Sequence, residues 1–438
     1  MAEKKPNIRF KGFEEEWEDK PFADAYKSAA EGGTPSTSVK DYYVGGSIPF
    51  VKIEDTEQKY IHDTASHITE KGMNNSSAWL IPSNSIIFTN GATIGNVAIN
   101  KVPVTTKQGI LGVIQDTSKF DLEYLYYALS TDEFQTEVEK RQSKGTFATI
   151  ILRNLDKIDI PHTSLPEQRK IGEFFKQLDE LIGAKEQELE KLRQIKLALL
   201  DKMFPSDSQD NINGGGKSLI YKMLQNSSQL VVSSPAPNTP TIRFRGFTEP
   251  WEKYLISRRV TYGKGRGYSK ANLQQSGTPI LLYGTLYTDY NTNITEVDRY
   301  STKKEWAVMS KGNEVVVPAS GETAEDIARA SAILKAGIIL GGDLNIIYPD
   351  DKLDASFLAL ELTYGNSHRK LVKKAQGVSV VHLHNTDISE LEINVPSYNE
   401  QRKIGDFFRS QDEAIANSQL QINKLKTIKQ ACLSQMFA

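Results

Sequence analysis

The stretch EQRKIGEFF at residues 167–175 returns as EQRKIGDFF at residues 400–408. The two copies are 233 positions apart and differ only where Glu173 is replaced by Asp406. Agreement over so long a stretch is the sequence signature of an internal repeat. The chain is therefore predicted to contain one structural unit twice.

The repeat extends beyond this motif in both directions. Each copy opens on a similar segment and closes on the dipeptide Met-Phe, at offsets of 234 and 233 residues. The matched segments are IRFKGFEEEWE at 8–18 with IRFRGFTEPWE at 242–252, and Met203-Phe204 with Met436-Phe437. Each unit thus runs from an IRF-x-GF opening to a segment that begins with the EQRKIG motif.

An apolar seam follows each EQRKIG motif. In the first copy, two lines of positions with alternating four- and three-residue steps are apolar at eight of ten places, which is the pattern of a coiled coil. The seam residues are Ile171, Phe175, Leu178, Ile182, Leu189 and Leu192 in the first copy and Ile404, Phe408, Ile415, Ile422 and Leu425 in the second, with Lys196 and Lys429 at matching polar places. We expect long helices over 167–204 and 400–438 that pack on each other. The alternative is that each helix covers only the core of its own domain.

The rest of each unit reads as a mixed, β-rich domain. Short apolar runs bounded by Gly, Pro and Asn predict strands, and they precede a helical stretch at 121–141. The strand candidates are 47–53, 84–89, 97–99, 110–114 and a last one leading from Ile150 to Pro161. Several pieces recur in the second copy: Pro49 as Pro279, IIFTNGAT at 86–93 as VVPASGET at 316–323, LGVI at 111–114 as LNII at 344–347, and DLEYL at 121–125 as DASFL at 354–358. The predicted fold class is α+β, with two similar domains over 1–166 and 241–399.

A Gly-, Ser-, Asn- and Pro-rich stretch at 205–240 separates the two units. Such a composition buries little apolar surface and predicts a flexible linker. Its 36 residues could extend beyond roughly 100 Å, at about 3.3 Å per residue. The chain could therefore return along the whole first helix, which allows the two helices to run antiparallel.

Composition sets the outer bounds on what the chain can be. Its 438 residues, 39% hydrophobic and 25% charged, are typical of a globular protein of two or three domains. No apolar run reaches the ~18–20 residues of a membrane span, and MAEKKPNIRF at the start lacks a signal-like apolar region. The single cysteine, Cys432, excludes an internal disulfide. We therefore expect a cytoplasmic protein.

The arrangement resembles the specificity subunit of type I restriction-modification systems. The resemblance covers nearly the whole chain and depends on the paired EQRKIG motifs, the paired IRF-x-GF-x-x-x-WE openings, and GGTPS at 32–36 followed by GGSIPFVKIED at 45–55. It implies two target-recognition domains that alternate with two helical regions. It also implies a DNA-reading subunit that directs adenine methylation and restriction by its partners.

Duplex geometry then favours antiparallel helices. The local two-fold axes of DNA lie perpendicular to its long axis, so protein copies related by one must reverse direction along the duplex. Two different domains would then read a target of two dissimilar halves. The inserts at 54–79 and 283–306 differ between the copies while the surrounding strands match. Two domains that bind different DNA sequences need this pattern, although neutral divergence of solvated loops would look the same.

Charge does not by itself indicate DNA binding. The formal net charge is −2, with 18 basic against 23 acidic residues in 1–166 and 19 against 18 in 241–399. A freestanding DNA-binding protein is usually more basic. Basic residues cluster modestly at 264–270 and at 369–374, and partner subunits could supply further contacts.

Candidate base-reading residues follow from side-chain chemistry. Arg and Lys suit guanine, Asn and Gln suit adenine, and Ser and Thr are adaptable. The candidates are Lys52, Asn74, Ser76, Ser77, Asn90, Thr93, Lys107 and Gln108 in the first domain, and Lys264, Arg266, Tyr268, Lys270, Tyr283, Ser320 and Thr323 in the second. For each of them taken singly, a solvated loop residue is the simpler interpretation.

Motifs for resident chemistry are lacking. The segment GGGKS at 214–218 lies in the linker, without the first glycine of a phosphate loop, and no methyltransferase or nuclease signature is present. His382 and His384 alternate as on a strand, without a third ligand near them in sequence. The chain is expected to be non-catalytic and to bind no cofactor or metal. A self-sufficient restriction enzyme and a protein-interaction scaffold without a DNA role remain as alternatives.

The resemblance also implies a set of partners. These are double-stranded DNA, two methyltransferase subunits and ATP-dependent restriction subunits, with no membrane. S-adenosylmethionine, ATP and magnesium are expected on the partner subunits. The methyltransferase chains are expected to dock on the paired helices and the neighbouring domain surfaces.

Overall fold

The structure, a computed structural model, describes residues 6–143, 148–205, 229–233, 238–288, 290–375 and 380–437. The chain divides into two compact units. Unit 1 comprises residues 1–186 and 420–438, and unit 2 comprises residues 187–419. Each unit contains one β-rich domain and part of each of two long helices. Within the described ranges, no helix combines the length and the apolar character that crossing a bilayer requires.

The first β-rich domain, domain 1, consists of short strands and short helices. Its strands are β1 (Glu18–Pro21), β2 (Tyr26–Glu31), β3 (Ile48–Val51), β4 (Tyr60–Ile61), β5 (His67–Ile68), β6 (Ile86–Thr89), β7 (Val97–Asn100), β8 (Thr105–Thr106), β9 (Ile110–Gln115) and β10 (Asp159–His162). Its helices are α1 (Glu70–Asn74), α2 (Leu122–Leu129), α3 (Asp132–Arg141) and α4 (Leu152–Leu155), with 3-10 turns at Phe22–Ala25, Lys40–Tyr42 and Ile53–Glu57. The long helix α5 (Leu165–Lys202) follows.

The second β-rich domain, domain 2, has the same kinds of element. Its strands are β11 (Leu230–Val232), β12 (Ile242–Phe244), β13 (Glu252–Leu255), β14 (Val260–Lys264), β15 (Thr278–Leu281), β16 (Asn293–Ile294), β17 (Tyr300–Ser301), β18 (Met309–Lys311), β19 (Glu314–Pro318), β20 (Ser320–Gly321), β21 (Ser331–Ile333), β22 (Ala336–Leu340), β23 (Leu344–Pro349), β24 (Val381–His382) and β25 (Glu392–Val395). Its helices are α6 (Thr285–Thr288), α7 (Ala324–Ile327), α8 (Ala355–Tyr364), α9 (Asn366–Lys374) and α10 (Asn385–Ser389), with 3-10 turns at Ile256–Arg258 and Lys270–Asn272. The second long helix, α11 (Tyr398–Met436), follows β25.

The two domains share one sheet topology. Domain 1 has a five-stranded sheet in the order β2-β9-β6-β7-β4, and domain 2 has the equivalent order β14-β23-β19-β21-β16. A smaller sheet, β5-β3-β8, corresponds to β17-β15-β22 with β18 added, and the pair β1-β10 corresponds to β13-β25. The prediction of two similar α+β domains is therefore confirmed.

The long helices pack antiparallel inside each unit. In unit 1, Lys429 pairs with Asp179 at 2.5 Å and Lys426 pairs with Glu186 at 2.7 Å. Residue numbers therefore rise along one helix in the direction in which they fall along the other. In unit 2 the counterparts of these pairs are Lys196 with Asp412 and Arg193 with Gln419, each shifted by 233 residues. The lysines at the polar seam positions thus carry the contact between the helices, which fixes their register.

A buried arginine–glutamate ion pair joins the IRF segment to the EQRKIG motif at the start of each long helix. This ion pair is called the lock. Arg9 of the first IRF segment donates two hydrogen bonds to the carboxylate of Glu167, at 2.7 and 2.8 Å. Arg243 and Glu400 repeat this arrangement with the same two distances. Both glutamates are fully buried. A bidentate arginine–carboxylate pair fixes both geometry and charge, which explains why the two motifs recur together.

The next residues of the motif tie the helix to the domain. The amide oxygen of Gln168 accepts a hydrogen bond from the backbone of Asp121 at 2.9 Å, and Gln401 accepts one from Asp354 at the same distance. Gly172 lies so close to the start of α2 that a Cβ there would sit 2.8 Å from the backbone nitrogen of Tyr124. Glycine is therefore required for this approach.

Each unit takes the end of one long helix into its core. Phe437 packs in domain 1 against Tyr124, with ring centroids 5.1 Å apart. Phe204 packs in domain 2 against Phe357, with ring centroids 5.8 Å apart. Each helix therefore begins in the core of one unit and ends in the core of the other.

The seam residues are buried to different degrees. Eight are buried: Ile171, Phe175, Leu178, Ile182, Leu189, Ile404, Phe408 and Ile422. Three are half-buried: Leu192, Ile415 and Leu425. Phe175 and Phe408, near the start of each helix, are fully buried and also belong to the cores of the two domains, while Leu189 and Ile422 are buried near the middle of the helices. Helix–helix contact and domain capping, considered above as alternatives, therefore both occur.

Two local predictions need correction. The stretch 121–141 is two helices, because α2 ends at Leu129 and Thr131 begins α3 as its N-cap. The hydroxyl of Thr131 accepts a hydrogen bond from the backbone of Phe134 at 3.3 Å. The predicted linker 205–240 includes strand β11, which pairs with β12. Most of the predicted linker, with GGGKS at 214–218, lies outside the described residues.

Candidate nucleic-acid interface

In domain 1, four loops meet where strands β2 and β6 end and strand β9 begins. This end of the five-stranded sheet is called its edge here. The backbone of Lys107 donates to Val51 at 3.0 Å, which sets Lys107 beside Lys52, since β3 and β8 are parallel neighbours. Gln108 donates from its backbone to Thr34 at 3.4 Å, and Gly91 donates to Gly109 at 3.1 Å. Lys107 and Gln108 are exposed and Lys52 is half-buried.

The polar turn after α1 reaches the same edge. Ser77 lies against Gly33, where a Cβ would come within 2.1 Å of the serine hydroxyl. Asn74 and Ser77 are exposed, while Ser76 is half-buried and donates its hydroxyl to Met73 at 3.2 Å. The structure thus brings Lys52, Ser77, Lys107 and Gln108 to one surface, with Asn74 and Ser76 in the adjoining turn.

The hairpin between β6 and β7 separates two further candidates. Thr93 is exposed in this hairpin, whereas Asn90 is buried at its start. The side-chain amide of Asn90 donates to the backbone oxygen of Ile150 at 3.2 Å. Asn90 therefore holds the segment around Ile150 in place, and its side chain is removed from the candidate surface.

The equivalent edge of domain 2 is built in the same way. Gly265 donates to Leu344 at 2.9 Å, and Arg266 donates to Leu340 at 3.1 Å. Ala319 donates to Asp343 at 2.8 Å. These bonds bring the basic loop after β14, the segment before β23 and the loop after β19 together, with Lys264, Arg266 and Lys270 exposed.

Four other candidates of domain 2 occupy different environments. Tyr268 is buried, and its hydroxyl accepts from the backbone of Lys304 at 2.8 Å and donates to Thr302 at 3.2 Å. Ser320 is buried in β20, so neither Tyr268 nor Ser320 offers an exposed side chain at this edge. Exposed Thr323 caps α7 by accepting from Asp326 at 3.1 Å. Half-buried Tyr283 lies with its ring 6.2 Å from that of Tyr287.

The phenol of Tyr287 is a neutral group at this edge. It lies beside Gly321, and burial raises the pKa of Tyr287 above its ordinary value. A neutral hydroxyl can donate to a phosphate or base without repelling it. Tyr287 is absent from the sequence-based candidates, because its position beside Gly321 depends on tertiary packing.

The two basic clusters seen in the sequence have different partners. Within the described part of the chain, Lys107, Lys264 and Arg266 form no ion pair with a carboxylate. Lys370 and Lys374 instead pair with Glu392 and Glu390, at 3.6 and 2.5 Å. The 264–270 cluster therefore has charge available for a ligand, whereas lysines of the 369–374 cluster are internally neutralised.

No metal site is found in the ranges that the structure describes, where no group of three or more His, Cys, Asp or Glu side chains converges. His382 and His384 form a parallel pair with ring centroids 6.5 Å apart. Both are exposed. Two ring nitrogens without a third ligand make a poor structural metal site.

A second candidate surface lies on the motif itself. Arg169, Lys170, Arg402 and Lys403 are exposed, although the motif residues beside them are buried. The fold uses the lysines only partly: Lys170 lies 5.4 Å from the ring of Phe10, and Lys403 lies 5.0 Å from that of Phe244. The fold by itself therefore does not account for the identity of these exposed residues in the two copies.

The chain belongs to the family of the type I restriction modification DNA specificity domain, whose model matches residues 14–194 and again 248–427. The two matches coincide with the two repeats described above. They cover both domains and most of both long helices.

Several specificity subunits are similar to this chain in sequence. The chain is 34% identical over 192 residues to the MjaIX specificity subunit of Methanocaldococcus jannaschii, covering 43% of this chain and 44% of that one. It is 29% identical over 157 residues to the EcoR124I/EcoR124II specificity subunit of Escherichia coli, covering 35% and 39%. The chain therefore spans less than half the length of these relatives in alignment. The MjaVIII specificity subunit of M. jannaschii aligns over 85% of this chain and 84% of its own length at 20% identity.

Solved structures share the fold. The type I restriction-modification S subunit from M. genitalium matches 99% of both chains with a TM-score of 0.59 and 14% identity. A chain from a study of complex assembly and conformational transition of the type I R-M system covers 96% of this chain and 97% of its own, with a TM-score of 0.54 and 14% identity. At this identity the likeness concerns the fold.

Proposed function

We propose that this chain is the DNA sequence-specificity subunit of a type I restriction-modification complex. The observation that carries the proposal is the pairing of one sheet frame, repeated with the same topology, with different loops on equivalent edges. A common frame positions the loops, and the loops determine what each domain binds. The family membership and the exposed, unpaired cations at these edges support double-stranded DNA as the ligand.

The target would have two dissimilar halves. Each domain would read one half through its own edge, with Lys107 and Gln108 in domain 1 and Lys264 and Arg266 in domain 2. Phosphate contacts would orient the chain, and amide and guanidinium groups would read base edges in the major groove. A modest net charge of −2 fits a subunit that shares DNA binding with its partners.

Catalysis would belong to other subunits. This chain would direct methyl transfer from S-adenosylmethionine to adenine by two methyltransferase subunits, and ATP- and magnesium-dependent restriction by nuclease subunits. The motifs for such chemistry are missing from the sequence. The chain itself would bind DNA and partner proteins.

The exposed residues of the repeated motif would dock the methyltransferase subunits. Arg169 and Lys170 recur as Arg402 and Lys403, so the chain offers the same charged surface twice. Two identical surfaces suit two copies of one partner. The charge-reversal variant R169E/K170E should lose one bound methyltransferase, and adding R402E/K403E should remove the second. The mass of the purified complex measures the number of bound copies. Retention of both copies by the fourfold variant would contradict this docking site.

Footprinting of the complex with its methyltransferase tests DNA reading. We expect protection of two separated short sequences. Replacing insert 54–79 by that of another family member should change the sequence protected at one half and leave the other half unchanged. Replacing 283–306 in the same way is the matched experiment for the other half. Absence of any footprint would instead favour a protein-interaction scaffold, and unaided methylation or cleavage would favour a self-sufficient enzyme.

A further inference from the structure

A short segment crosses the end of the five-stranded sheet in domain 2. Leu383 donates its backbone N–H to Ala319 at 3.0 Å, and its carbonyl accepts from the side chain of Asn345 at 2.8 Å. Asn385 then donates its side-chain amide to the backbone oxygen of Gly263 at 2.9 Å. Residues 381–385, named here the crossing segment of domain 2, therefore run from the loop after β19, over β23, to the basic end of β14.

The side chains of this segment alternate between core and solvent. Val381 and Leu383 are buried, with 9% and 0% of their surface exposed. His382 and His384 are exposed between them, on the opposite face. Their rings are parallel within 5° and lie with centroids 6.5 Å apart. The segment thus presents two histidines at the edge that also carries Lys264 and Arg266.

Domain 1 has an equivalent crossing segment at residues 148–152. Ile150 is fully buried, donates its backbone N–H to Asn90 at 2.9 Å and accepts from the Asn90 side chain at 3.2 Å. Thr149 forms a β-bridge with Gly91, as His382 pairs with Ser320 in domain 2. Thr149 and Ile151 are exposed, and 57% of the surface of Ile151 is open.

The two segments agree where they face the core and differ where they face solvent. Ile150 corresponds to Leu383, 233 positions later, and in both domains a buried asparagine side chain holds the carbonyl of that residue. The outward pair is Thr149 and Ile151 in one domain and His382 and His384 in the other. The buried residues of the two segments are thus matched while the exposed residues are not, which is also the pattern of the loops at the same edges.

We propose that the outward residues of the crossing segments, Thr149 with Ile151 and His382 with His384, are specificity-determining contacts with the two halves of the DNA target. This inference rests on the proposed function and adds a reading element that contains none of the sequence-based candidates. The methyl groups of Thr149 and Ile151 suit the thymine methyl in the major groove. The histidine rings supply a hydrogen-bond donor and an acceptor, which suit base edges of mixed polarity.

His384 stands at the N-cap position of α10. Its backbone N–H donates to the carboxylate of Asp387 at 2.8 Å, and its backbone carbonyl accepts from the N–H of Asp387 at 3.0 Å. The ring nitrogens are the groups that would meet DNA. Ile151 occupies the same place before α4 without a side-chain cap. His382 carries no cap, so it can be replaced without loosening α10.

The test exchanges the outward pairs in the full chain, assembled with its methyltransferase. One variant carries T149H/I151H, a second carries H382T/H384I, and a third carries H382T alone. Methylated adenines in a random-sequence DNA library are sequenced to obtain each half-target separately. The inward exchange I150L with L383I is the matched control, because it alters the same segments without changing their exposed face.

We expect each exchange to change base preference in one half-target only, with roughly tenfold weaker methylation of the original sequence. The H382T variant should alter the same half as H382T/H384I, and the inward exchange should alter neither half. Unchanged half-targets in variants whose complexes assemble normally would overturn the inference. If the unmodified complex itself methylates no defined sequence, the proposed function fails, which is a distinct outcome.

Discussion

At the scale of single residues, the EQRKIG motif has two separable roles. Glu167 and Glu400 are buried partners of arginines, and the following glutamines receive backbone hydrogen bonds. The exposed arginine and lysine in each motif take little part in this lock. The buried glutamate and glutamine of the motif therefore hold the helix to its domain, while the arginine and lysine form part of the protein surface.

Breaking the lock of domain 2 should be costly. Arg243→Ala leaves the carboxylate of Glu400 buried without its partner, and the expected loss is about 3–5 kcal/mol of unfolding free energy. Urea denaturation followed by the fluorescence of the chain would measure it. Arg245→Ala, two residues away and exposed, is the control and should change stability by less than about 0.5 kcal/mol. Equal effects of the two changes would show that the buried pair is not a fastening.

A second residue-scale prediction concerns pH. Burial raises the pKa of Glu361 to about 8, against hydrogen bonds from the backbone of Asn394 and from Ser367 that lower it. The folded chain thus holds a proton that the unfolded chain releases above about pH 4.5. Stability from this group is complete below that pH, falls as pH rises, and is lost above about pH 8.

Glu361→Gln should remove this dependence. Relative to the variant, the unmodified chain should lose about 2 kcal/mol of unfolding free energy between pH 6 and pH 7.5, since one proton corresponds to about 1.4 kcal/mol per pH unit. Denaturation curves at both pH values measure the difference. Glu413→Gln, at an exposed position, is the control. A variant with the same pH slope as the unmodified chain would mean that Glu361 is ionised in the fold.

At the scale of elements, polar contacts within an apolar seam set the register of the two long helices. Lys196 with Asp412 in unit 2 and Lys429 with Asp179 in unit 1 are the same pair, seen from the two copies. The lysine side chains are 14% and 24% exposed, so solvent screens these contacts only partly. Such contacts contribute register more than stability.

A charge exchange tests the register contact. Lys196→Asp should destabilise unit 2 by about 1 kcal/mol, because two carboxylates then face each other, and adding Asp412→Lys should restore most of the loss. Thermal unfolding of both single variants and the double variant completes the cycle. The same exchange at Lys429 and Asp179 should act in unit 1. A double variant no better than the sum of the singles would exclude a direct contact.

At the scale of the whole molecule, the chain exchanges helix ends between its two units. Residues 420–438 belong to unit 1 although domain 1 lies at the other end of the sequence. Phe437 is surrounded there by aromatic rings, including Trp17 and Phe175 at centroid distances of 6.4 and 6.1 Å. Neither domain therefore has a complete core without the other copy's helix.

Truncating Phe437 should act on the distant domain. Phe437→Ala is expected to destabilise unit 1 by about 3–5 kcal/mol, because it leaves a cavity in an aromatic cluster. Hydrogen–deuterium exchange should become faster in β6, β9 and α2 of domain 1, with domain 2 little changed. Phe204→Ala is the matched variant and should produce the opposite pattern. Faster exchange near residue 437 alone would contradict this shared core.

The predicted interface was only partly recoverable from sequence. Lys52, Lys107 and Gln108 were identified by side-chain chemistry, and the structure brings them to one surface. Asn90 and Ser320 have suitable chemistry too but are buried, because a loop sequence does not indicate which side chains turn inward. Whether such a side chain is exposed to a ligand depends on tertiary packing, which no local sequence pattern specifies.

The sequence by itself determined the duplication, the α+β class, the two long helices and the family, because identity between two copies and apolar periodicity are readable in one dimension. Only the tertiary structure decided that Arg9 meets Glu167 and Arg243 meets Glu400, which candidate residues are exposed, and that each unit contains the end of a helix from the other copy. These contacts join residues more than 150 positions apart. Their partners are selected by packing in three dimensions, and the chain carries no local signal for it.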